Sequence, residues 1–231
     1  MTKSIQTLEK NLDVVFSNKE LLHQALIHRS YLNEAKGTYS SNERLEFLGD
    51  AILSFLVSHH LFIEYPTFTE GELTNLRSAV VRTETLSVVS HNLNLGDFLL
   101  LSKGEEESGG RINSTLLANC FEAVVGAIFI DQGIEKTKEF IEKKLLVLLA
   151  EIIEKRTYRD FKSQFQEMVQ ERLRLSPLYK VMNEEGPDHA KVFHIGVYVS
   201  DELYGVGIGK SKQEAEQAAA AQGLEKWTQK S

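Results

Sequence analysis

Three carboxylate side chains lie on one side of the stretch NERLEFLGDAIL, residues 42–53, which is otherwise rich in apolar residues. Glu43, Glu46 and Asp50 fall within an arc of roughly 60° if the stretch is helical, because successive residues of an α-helix are about 100° apart. A carboxylate on an apolar helix face must be neutralised, paired with a cation or bound to a metal ion, because an unpartnered buried charge is very costly. Pairing with Arg44 or with basic residues elsewhere is one interpretation, and a metal site is the other.

A second apolar segment, STLLANCFEAVVGAIFID at residues 114–131, carries Asn119 and Glu122. Side chains three residues apart project together from a helix, so a hydrogen bond between packed helices is one interpretation of this pair. If this helix packs against residues 42–53, the two segments form a nest of oxygen ligands, the donor set that Mg²⁺ or Mn²⁺ prefers. For the two segments taken together, we favour the metal site.

The composition is typical of a globular protein of one or two domains, with 231 residues, 42% of them hydrophobic and 26% charged. Cys120 is the only cysteine, so an intrachain disulfide is excluded and a cytosolic location is expected. We find no signal-peptide pattern and no apolar stretch that approaches the roughly 18 residues needed to span a bilayer, and therefore expect no membrane partner. Because the net charge is −7, any nucleic-acid site must be a local cluster of basic residues.

The first part of the chain has the pattern of helices. Apolar periodicity, broken at Asn, Gly, Ser and Pro, predicts helices at residues 4–15, 19–28, 41–64, 70–92, 113–131 and 134–155. The polar, glycine-rich stretch SKGEEESGGR, residues 102–111, predicts an exposed loop. We therefore predict an all-helical domain over residues 1–157. A short linker, RTYR at residues 156–159, spans its C-terminal boundary.

In the last third of the chain the period changes. DFKSQFQEMVQERL predicts a helix, LYKVMNEE, KVFHIGVYVS and LYGVGIG predict strands, and SKQEAEQAAAAQGLEKW predicts a final helix. This α-β-β-β-α order predicts a small α+β domain over residues 158–231, in a chain that is mainly α. Ser211 and Glu214 have the spacing of a capping box. Lys210 and Lys212 flank the same helix start, whose free N–H groups favour phosphate, although an ordinary capped helix with solvated lysines is the alternative.

The stretch NERLEFLGD closely resembles the signature of the ribonuclease III family of endonucleases, which cut double-stranded RNA. The resemblance extends through HRSYLNE (28–34), EGELTNLRSAVVR (70–82) and GGRINSTLLANCFEAVVGAIFID (109–131). The C-terminal block resembles a double-stranded-RNA-binding domain. The resemblance covers nearly the whole chain, and the bacterial two-domain form is the closest likeness.

The resemblance implies a Mg²⁺-dependent phosphodiesterase in which Mn²⁺ can substitute. The positions of the metal ligands are taken by Glu46, Asp50, Asn119 and Glu122. Of these, Asp50 and Glu122 are also the implied catalytic carboxylates. Acidic positions that line the family's cleft correspond to Glu43 and Glu70. The resemblance further implies a homodimer whose two sites each cut one strand. The products would carry 5′ phosphates, 3′ hydroxyls and a short 3′ overhang, in the processing of rRNA, mRNA and tRNA precursors.

For the second domain, the resemblance implies three regions of contact with RNA. The residues assigned to RNA contact are Ser163, Gln166 and Glu167 on the first helix, His189 in the GPDH loop, and Lys210, Ser211 and Lys212 at the last helix. Together these regions would reach two successive minor grooves and the intervening phosphates over about 16 base pairs. Gln213 stands where a second lysine is common.

Asn119 departs from the family pattern, which usually has aspartate at this position. An amide oxygen can ligate Mg²⁺ but adds no charge.

Our main hypothesis is a cytosolic, homodimeric endoribonuclease specific for double-stranded RNA. The alternative is a catalytically impaired double-stranded-RNA-binding or ribosome-assembly factor, and a helical scaffold with salt-bridged acids is a third hypothesis. His28 and Arg29 are interpreted as structural.

Overall fold

Helices make up the first part of the chain in the computed structural model, which describes residues 4–154, 158, 160–187 and 191–229. The α-helices of this part are α1 (Ile5–Leu12), α2 (Lys19–Ala25), α3 (Glu43–Glu64), α4 (Glu70–Val81), α5 (Thr83–Asn92), α6 (Lys103–Glu107), α7 (Ser114–Lys144) and α8 (Leu149–Glu154). Turns of 3-10 helix lie at Arg29–Asn33, Leu95–Asp97, Gly110–Ile112 and Leu146–Leu148. The chain divides into two compact units, Met1–Tyr158 and Arg159–Ser231. This boundary is one residue from the predicted one, and most of the predicted linker, 156–159, lies outside the described residues.

The centre of the first unit is the contact between α3 and α7, the most extensive between any two elements of the unit. Side chains from both helices are fully buried there, including Leu53, Val57, Phe121, Val124 and Ile128. Each such side chain contributes about 1.5–3 kcal/mol by leaving water. The two helices predicted to carry the acidic residues therefore also lie at the centre of the core.

By length and composition alone, α3 and the helical stretch Ser114–Glu154 could each cross a membrane. By that test the prediction that no apolar stretch is long enough to span a bilayer is wrong, because a span tolerates occasional polar residues. A core helix passes the same test of length and composition. Both segments supply buried residues to the hydrophobic core of the first unit.

The predicted break between residues 131 and 134 is present inside α7, whose residue Gly133 has φ 78° and ψ −174°. This conformation is open to glycine and strained for other residues. The break is stabilised on one side by Asp131, whose carboxylate accepts hydrogen bonds from the backbone N–H groups of Ser17 and Asn18, both at 2.8 Å. The kink therefore attaches α7 to the start of α2.

The prediction of one helix over residues 70–92 is wrong, because Arg82 is extended (φ −68°, ψ 155°) and separates α4 from α5. The residues around it, Val80, Val81 and Thr83, are β-branched and lose side-chain freedom in a helix. The hydroxyl of Thr85 donates to the carbonyl oxygen of Ala79 at 2.7 Å across the break. Local propensity and this side-chain bond together account for the interruption.

The stretch predicted as an exposed loop, residues 102–111, contains the short helix α6 and part of a 3-10 turn. Ser102 accepts a hydrogen bond from the Glu105 N–H as N-cap, and the Glu34 carboxylate accepts one from the Lys103 N–H. Arg111 donates to the carbonyl oxygens of Gly96 and Leu99 at 2.9 and 3.0 Å. These distant partners make a helix of a polar stretch that composition assigned to a loop.

The second unit has the predicted α-β-β-β-α order. Its elements are α9 (Phe161–Leu173), β1 (Leu178–Glu185), β2 (Val192–Val199), β3 (Glu202–Gly209) and α10 (Lys212–Gln229). The strands pair antiparallel in the order β1-β2-β3. Helices α9 and α10 bury Phe165, Val169 and Trp227 against Val197 in a separate small core. The predicted fold class is confirmed.

The alternating glycines of β3 allow α10 to lie directly on the sheet. A Cβ placed on Gly207 would overlap the carbonyl oxygen of Ala215, and one on Gly205 would overlap that of Ala219. The start of α10 is thereby fixed close to the end of β3.

Candidate active site and RNA-binding surface

Two glycines bring the backbones of α3 and α7 into contact beside the acidic residues. A Cβ placed on Gly49 would overlap the carbonyl oxygen of Glu122, and one on Gly126 would overlap that of Leu45. Gly49 lies directly before Asp50, and Gly126 lies one helical turn after Glu122. Since no side chain separates the helices at this crossing, the acids of the two segments meet there.

Burial and mutual repulsion dominate the electrostatics of the carboxylates at this crossing, and the attraction of Arg29 is the smallest of the effects on the pKa of Glu46. Within the described residues, no lysine, arginine or histidine forms an ion pair with Glu46, Asp50 or Glu122. Burial raises the pKa of Glu122 to about 7, and repulsion by the carboxylates of Asp50 and Glu46 adds to the shift. Burial likewise raises the pKa of Glu46, with further repulsion from Glu43 and Asp50. The interpretation that these acids are salt-bridged is therefore disfavoured.

Asn119 is joined to Glu46 by a side-chain hydrogen bond, which lowers the pKa of Glu46 and opposes the effect of burial. This bond links α7 to α3 and places the amide of Asn119 among the carboxylates. The assignment of Asn119 as a metal ligand beside the acidic stripe stays a prediction.

A cavity of about 260 Å³ opens beside Glu46. It is lined by His28, Arg29, Asn42, Glu43, Glu46, Leu99, Thr115, Leu116 and Asn119. The predicted site residues Glu43, Glu46 and Asn119 thus share one cavity, while Asp50 and Glu122 do not contribute to its described wall. His28 and Arg29 also line a second opening of about 600 Å³ with Glu105.

The position of His28 and Arg29 in the cavity wall was not predicted, since the sequence interpretation gave them a structural role. His28 lines the cavity and also makes structural contacts. Its Nδ1 lies 2.9 Å from the hydroxyl of Ser30, and burial lowers its pKa. The guanidinium of Arg29 lies 3.8 Å from Glu43. The signal in the sequence was a basic pair shortly before the acidic stripe, but nothing local indicates that the two segments are adjacent.

Backbone hydrogen bonds position this wall. The Asn42 N–H donates to the carbonyl oxygen of Ile27 at 2.8 Å, and the His28 N–H donates to that of Leu100 at 3.1 Å. The side chain of Asn42 donates to the carbonyl oxygen of Ala25. The segment that carries His28 is therefore bonded to Asn42 at the start of α3 and to Leu100.

Glu70 begins α4, and the structure shows no bond between it and the other predicted site residues within the described part of the chain. It is exposed at the start of α4, where its carboxylate accepts a hydrogen bond from Thr74 at 3.0 Å, and it is absent from the described wall of the cavity. Its assignment to the cleft stays a prediction.

The donor set at the crossing is suited to a hard divalent cation, because Glu46, Asp50 and Glu122 offer carboxylate oxygens and Asn119 offers an amide oxygen. The pKa values of Glu46 and Glu122 are raised because their negative charges are unfavourable at this place. A bound cation would stabilise those charges. Within the described residues, no three or more His, Cys, Asp and Glu side chains are already gathered as a metal cluster. The residue types fit a divalent cation, with Asn119 completing the oxygen donors.

On the second unit, Ser163, Gln166 and Glu167 are exposed together on α9. The Ser163 hydroxyl donates to the Asp160 carboxylate at 2.7 Å, and Asp160 also accepts from Gln217 of α10 at 2.9 Å. The hydroxyl hydrogen of Ser163 is therefore engaged, which leaves its oxygen as an acceptor toward a ligand.

Ser211 caps α10 as predicted, but the predicted capping box is only half formed, because the Glu214 carboxylate accepts from the N–H of Lys210 rather than that of Ser211. The Ser211 hydroxyl accepts from the Glu214 N–H at 3.1 Å, while the Glu214 carboxylate accepts from the Lys210 N–H at 2.7 Å. Lys210 and Lys212 are exposed on either side of this cap. His189, the remaining predicted contact, lies outside the described residues.

The family models divide the chain at the same place as its two structural units. A model described as "Ribonuclease-III-like" matches residues 18–149, and one described as "Double-stranded RNA binding motif" matches residues 161–226. A ribonuclease 3 of Syntrophomonas wolfei is 47% identical over 210 residues, which cover 91% of this chain and 89% of that protein. The chain belongs to the ribonuclease III family.

A second ribonuclease 3 and a solved ribonuclease III nuclease domain are also similar to this chain. The ribonuclease 3 of Borreliella burgdorferi is 43% identical over 211 residues, covering 91% of this chain and 86% of that protein. The nuclease domain of a Campylobacter jejuni ribonuclease III matches with 39% identity and a TM-score of 0.58, over 62% of this chain and 97% of that one. The predicted enzyme class, an endoribonuclease specific for double-stranded RNA, is confirmed. The ribonuclease III family in general implies a divalent metal cofactor.

Proposed function

We propose that the crossing of α3 and α7 is a Mg²⁺ site at which double-stranded RNA is hydrolysed to 5′-phosphate and 3′-hydroxyl ends with short 3′ overhangs. One observation carries the proposal. The carboxylates of Glu46, Asp50 and Glu122 converge at the crossing with no described ion pair to a basic side chain and with only a weak attraction from Arg29 on Glu46, and their mutual repulsion helps to raise the pKa of Glu122 to about 7. A divalent cation is the counter-charge that this arrangement lacks.

Glu46, Asp50, Asn119 and Glu122 would hold the ion, for which Mn²⁺ could substitute. When bound, the ion supplies an acidic water as nucleophile and a counter-charge for the departing 3′ oxygen. Asp50 and Glu122 are the proposed catalytic carboxylates. The hydrogen bond between Asn119 and Glu46 would hold the Glu46 carboxylate in place, and Glu43 and Glu70 are proposed to line the cleft.

The second unit would supply most of the grip on the duplex. Exposed polar side chains on α9 and the start of α10 favour recognition of shape, through 2′-hydroxyl and phosphate groups, over recognition of base sequence. Ser163, Gln166 and Glu167 would face one minor groove, and Lys210, Ser211 and Lys212 would contact phosphates. His189 belongs to the same proposal as a contact in the next minor groove.

We further propose that the enzyme is a homodimer. Phe47, Phe55 and Phe62 are 81%, 59% and 72% exposed on α3 and fall within an arc of about 80° on that helix. An exposed apolar face of this kind is typical of an interface. The Campylobacter jejuni nuclease domain, for its part, has structural flexibility in a region involved in dimer formation of that protein. Two copies would place one site on each strand. We also propose that the enzyme is cytoplasmic and that its substrates are rRNA, mRNA and tRNA precursors.

The test is cleavage of an end-labelled RNA duplex by the full chain with Mg²⁺, with Mn²⁺ and with EDTA, with mapping of the product ends. Glu122→Gln and Asp50→Asn should each lower kcat about 10³-fold or more, equivalent to about 4 kcal/mol, while duplex binding persists. Glu135→Gln, on an exposed position of the same helix, is the charge-matched control and should retain the rate. Cleavage by Glu122→Gln at the normal rate, or binding without any cleavage by the natural chain, would refute the assigned site.

A further inference from the structure

A carboxylate lies between two lysines on the surface of the second unit. The side chain of Glu184, near the end of β1, places Oε1 3.7 Å from the Nζ of Lys212 and Oε2 3.5 Å from the Nζ of Lys191. The Lys212 Nζ also lies 5.6 Å from the ring centroid of Phe193, the residue opposite Glu184 in the β1–β2 pairing. One carboxylate thus shares its charge between a lysine at the start of α10 and a lysine just before β2.

Glu184 stands close to two of the proposed RNA contact regions. It precedes the GPDH stretch at residues 186–189 by two positions, and its ion-pair partner Lys212 is a proposed phosphate contact. The Glu184 and Lys212 side chains are 36% and 60% exposed, so the pair is accessible to a ligand. Lys212 is followed by Gln213 and Glu214 in the first turn of α10, which makes Lys212 the source of positive charge in that turn.

We propose that Glu184 limits the affinity of this protein for double-stranded RNA by neutralising Lys212. The inference rests on the proposed phosphate contact of Lys212. A phosphate group must compete with the Glu184 carboxylate for Lys212, and the carboxylate also repels that phosphate. Exposed ion pairs are weak, so the competition lowers affinity without preventing binding. Its consequence is faster release of the duplex.

An ion pair that positioned Lys212 for RNA would have the opposite effect on RNA affinity. If Glu184 served to hold Lys212 ready for phosphate, it would reduce the ordering cost of binding, and loss of Glu184 would weaken the complex. The sign of the change in RNA affinity therefore separates the two roles.

The experiment measures binding of the full chain to an RNA duplex of about 25 base pairs, longer than the roughly 16-base-pair footprint, with EDTA present and over a series of salt concentrations. Glu184→Gln should tighten binding about three- to tenfold at low salt. It should also steepen the dependence of log K on log salt by up to about one unit for each lysine released. Glu185→Gln is the matched control, because it removes the same charge from the next residue of β1, whose side chain points to the other face and lies 3.7 Å from His194.

Lys212→Gln and the double variant complete a cycle. Lys212→Gln should weaken binding several-fold, and Glu184→Gln should then have less than a twofold effect in the Lys212→Gln background. Unchanged or weaker binding by Glu184→Gln, with Lys212→Gln still impaired, would overturn the role of Glu184 alone. Persistence of the full tightening in the double variant would also overturn it, since Lys212 would not be the intermediary. Normal binding by Lys212→Gln would instead refute the proposed phosphate contact.

Discussion

The backbone of Gly49 touches that of Glu122, and a Cβ on Gly49 would occupy the position of the Glu122 carbonyl oxygen. This contact sets the spacing between the helix that carries Glu46 and Asp50 and the helix that carries Asn119. The glycine of the NERLEFLGD stretch is therefore a requirement of packing, placed between the proposed metal ligands Glu46 and Asp50.

Gly49→Ala should destabilise the first unit by about 3 kcal/mol or more, because the obstacle is helix backbone and overpacking of a tight core costs about 1–3 kcal/mol even where side chains can move. Urea unfolding followed by far-ultraviolet circular dichroism measures the loss. Gly71→Ala is the control: a Cβ at Gly71 of α4 would meet no atom within 4 Å, so alanine should be neutral or stabilising by up to about 1 kcal/mol. Equal stability of the two variants would mean that α3 and α7 are not in backbone contact.

The exposed phenylalanines of α3 predict self-association. Phe47→Glu should convert the dimer into a monomer, because a charge would be buried in an apolar interface without a partner, and sedimentation at micromolar concentration should show the mass halving from about twice the chain mass. Val15→Glu, at a position 76% exposed away from α3, introduces the same charge and should leave the dimer intact. A natural chain that sediments as a monomer would contradict the proposed pairing of two sites.

The N-cap of α9 predicts a pH dependence for the second unit. Burial alone would raise the pKa of Asp160, but hydrogen bonds from Ser163, Gln217 and the backbone outweigh burial and lower it. A depressed pKa means that the stabilisation is present above the unfolded pKa of about 3.9. The stabilisation is lost as the pH falls through the lower, folded value. Asp160→Ala should therefore cost about 1 kcal/mol at pH 7 and less near pH 3.

The fluorescence of Trp227 reports this loss selectively, because it is the only tryptophan of the chain and is buried in the core of the second unit. Urea midpoints at pH 7 and pH 3 give the two differences. Asp201→Ala, in the exposed turn between β2 and β3, removes a carboxylate without removing a helix cap and serves as the control. A cost of Asp160→Ala that is the same at both pH values would show that the charge of Asp160 does not matter.

Sequence patterns were sufficient where structure depends on neighbours along the chain. The period-two strands, the Ser211 cap and the break beside Gly133 all follow from local residue types, and all are present. Patterns failed at Arg82, where β-branched residues and the Thr85 hydroxyl interrupt the predicted helix, and also where a distant partner decides the structure. The cap that Glu34 gives to α6 lies 69 residues from Lys103, so composition alone assigned that stretch to a loop.

The candidate site likewise has features that local spacing predicts and features that depend on distant contacts. Helical spacing placed Glu46 and Asp50 on one side and Asn119 with Glu122 on another, and the packing of α3 on α7 brings the two sets together. The presence of Arg29 in the cavity wall and the pairing of Glu184 with Lys212 depend on contacts between segments far apart in sequence. No local pattern encodes such contacts, so they required the fold.

The side chain of Asn119 hydrogen-bonds to Glu46, so its amide lies among the carboxylates of the crossing. If Asn119 is a neutral ligand, Asn119→Asp adds a charge that a bound cation favours, so the Mg²⁺ concentration for half-maximal cleavage should fall several-fold. Without metal, the new carboxylate would face that of Glu46 in place of the present hydrogen bond. The metal-free variant should therefore melt several degrees lower, and Mg²⁺ should restore more of the loss than in the natural chain. Asn113→Asp is the control, because it adds the same charge to the N-cap of α7, where aspartate caps as well as asparagine, and should leave the Mg²⁺ midpoint unchanged. A lower melting temperature for Asn119→Asp with an unchanged Mg²⁺ midpoint would rule out Asn119 as a ligand, since its position would then matter only for packing.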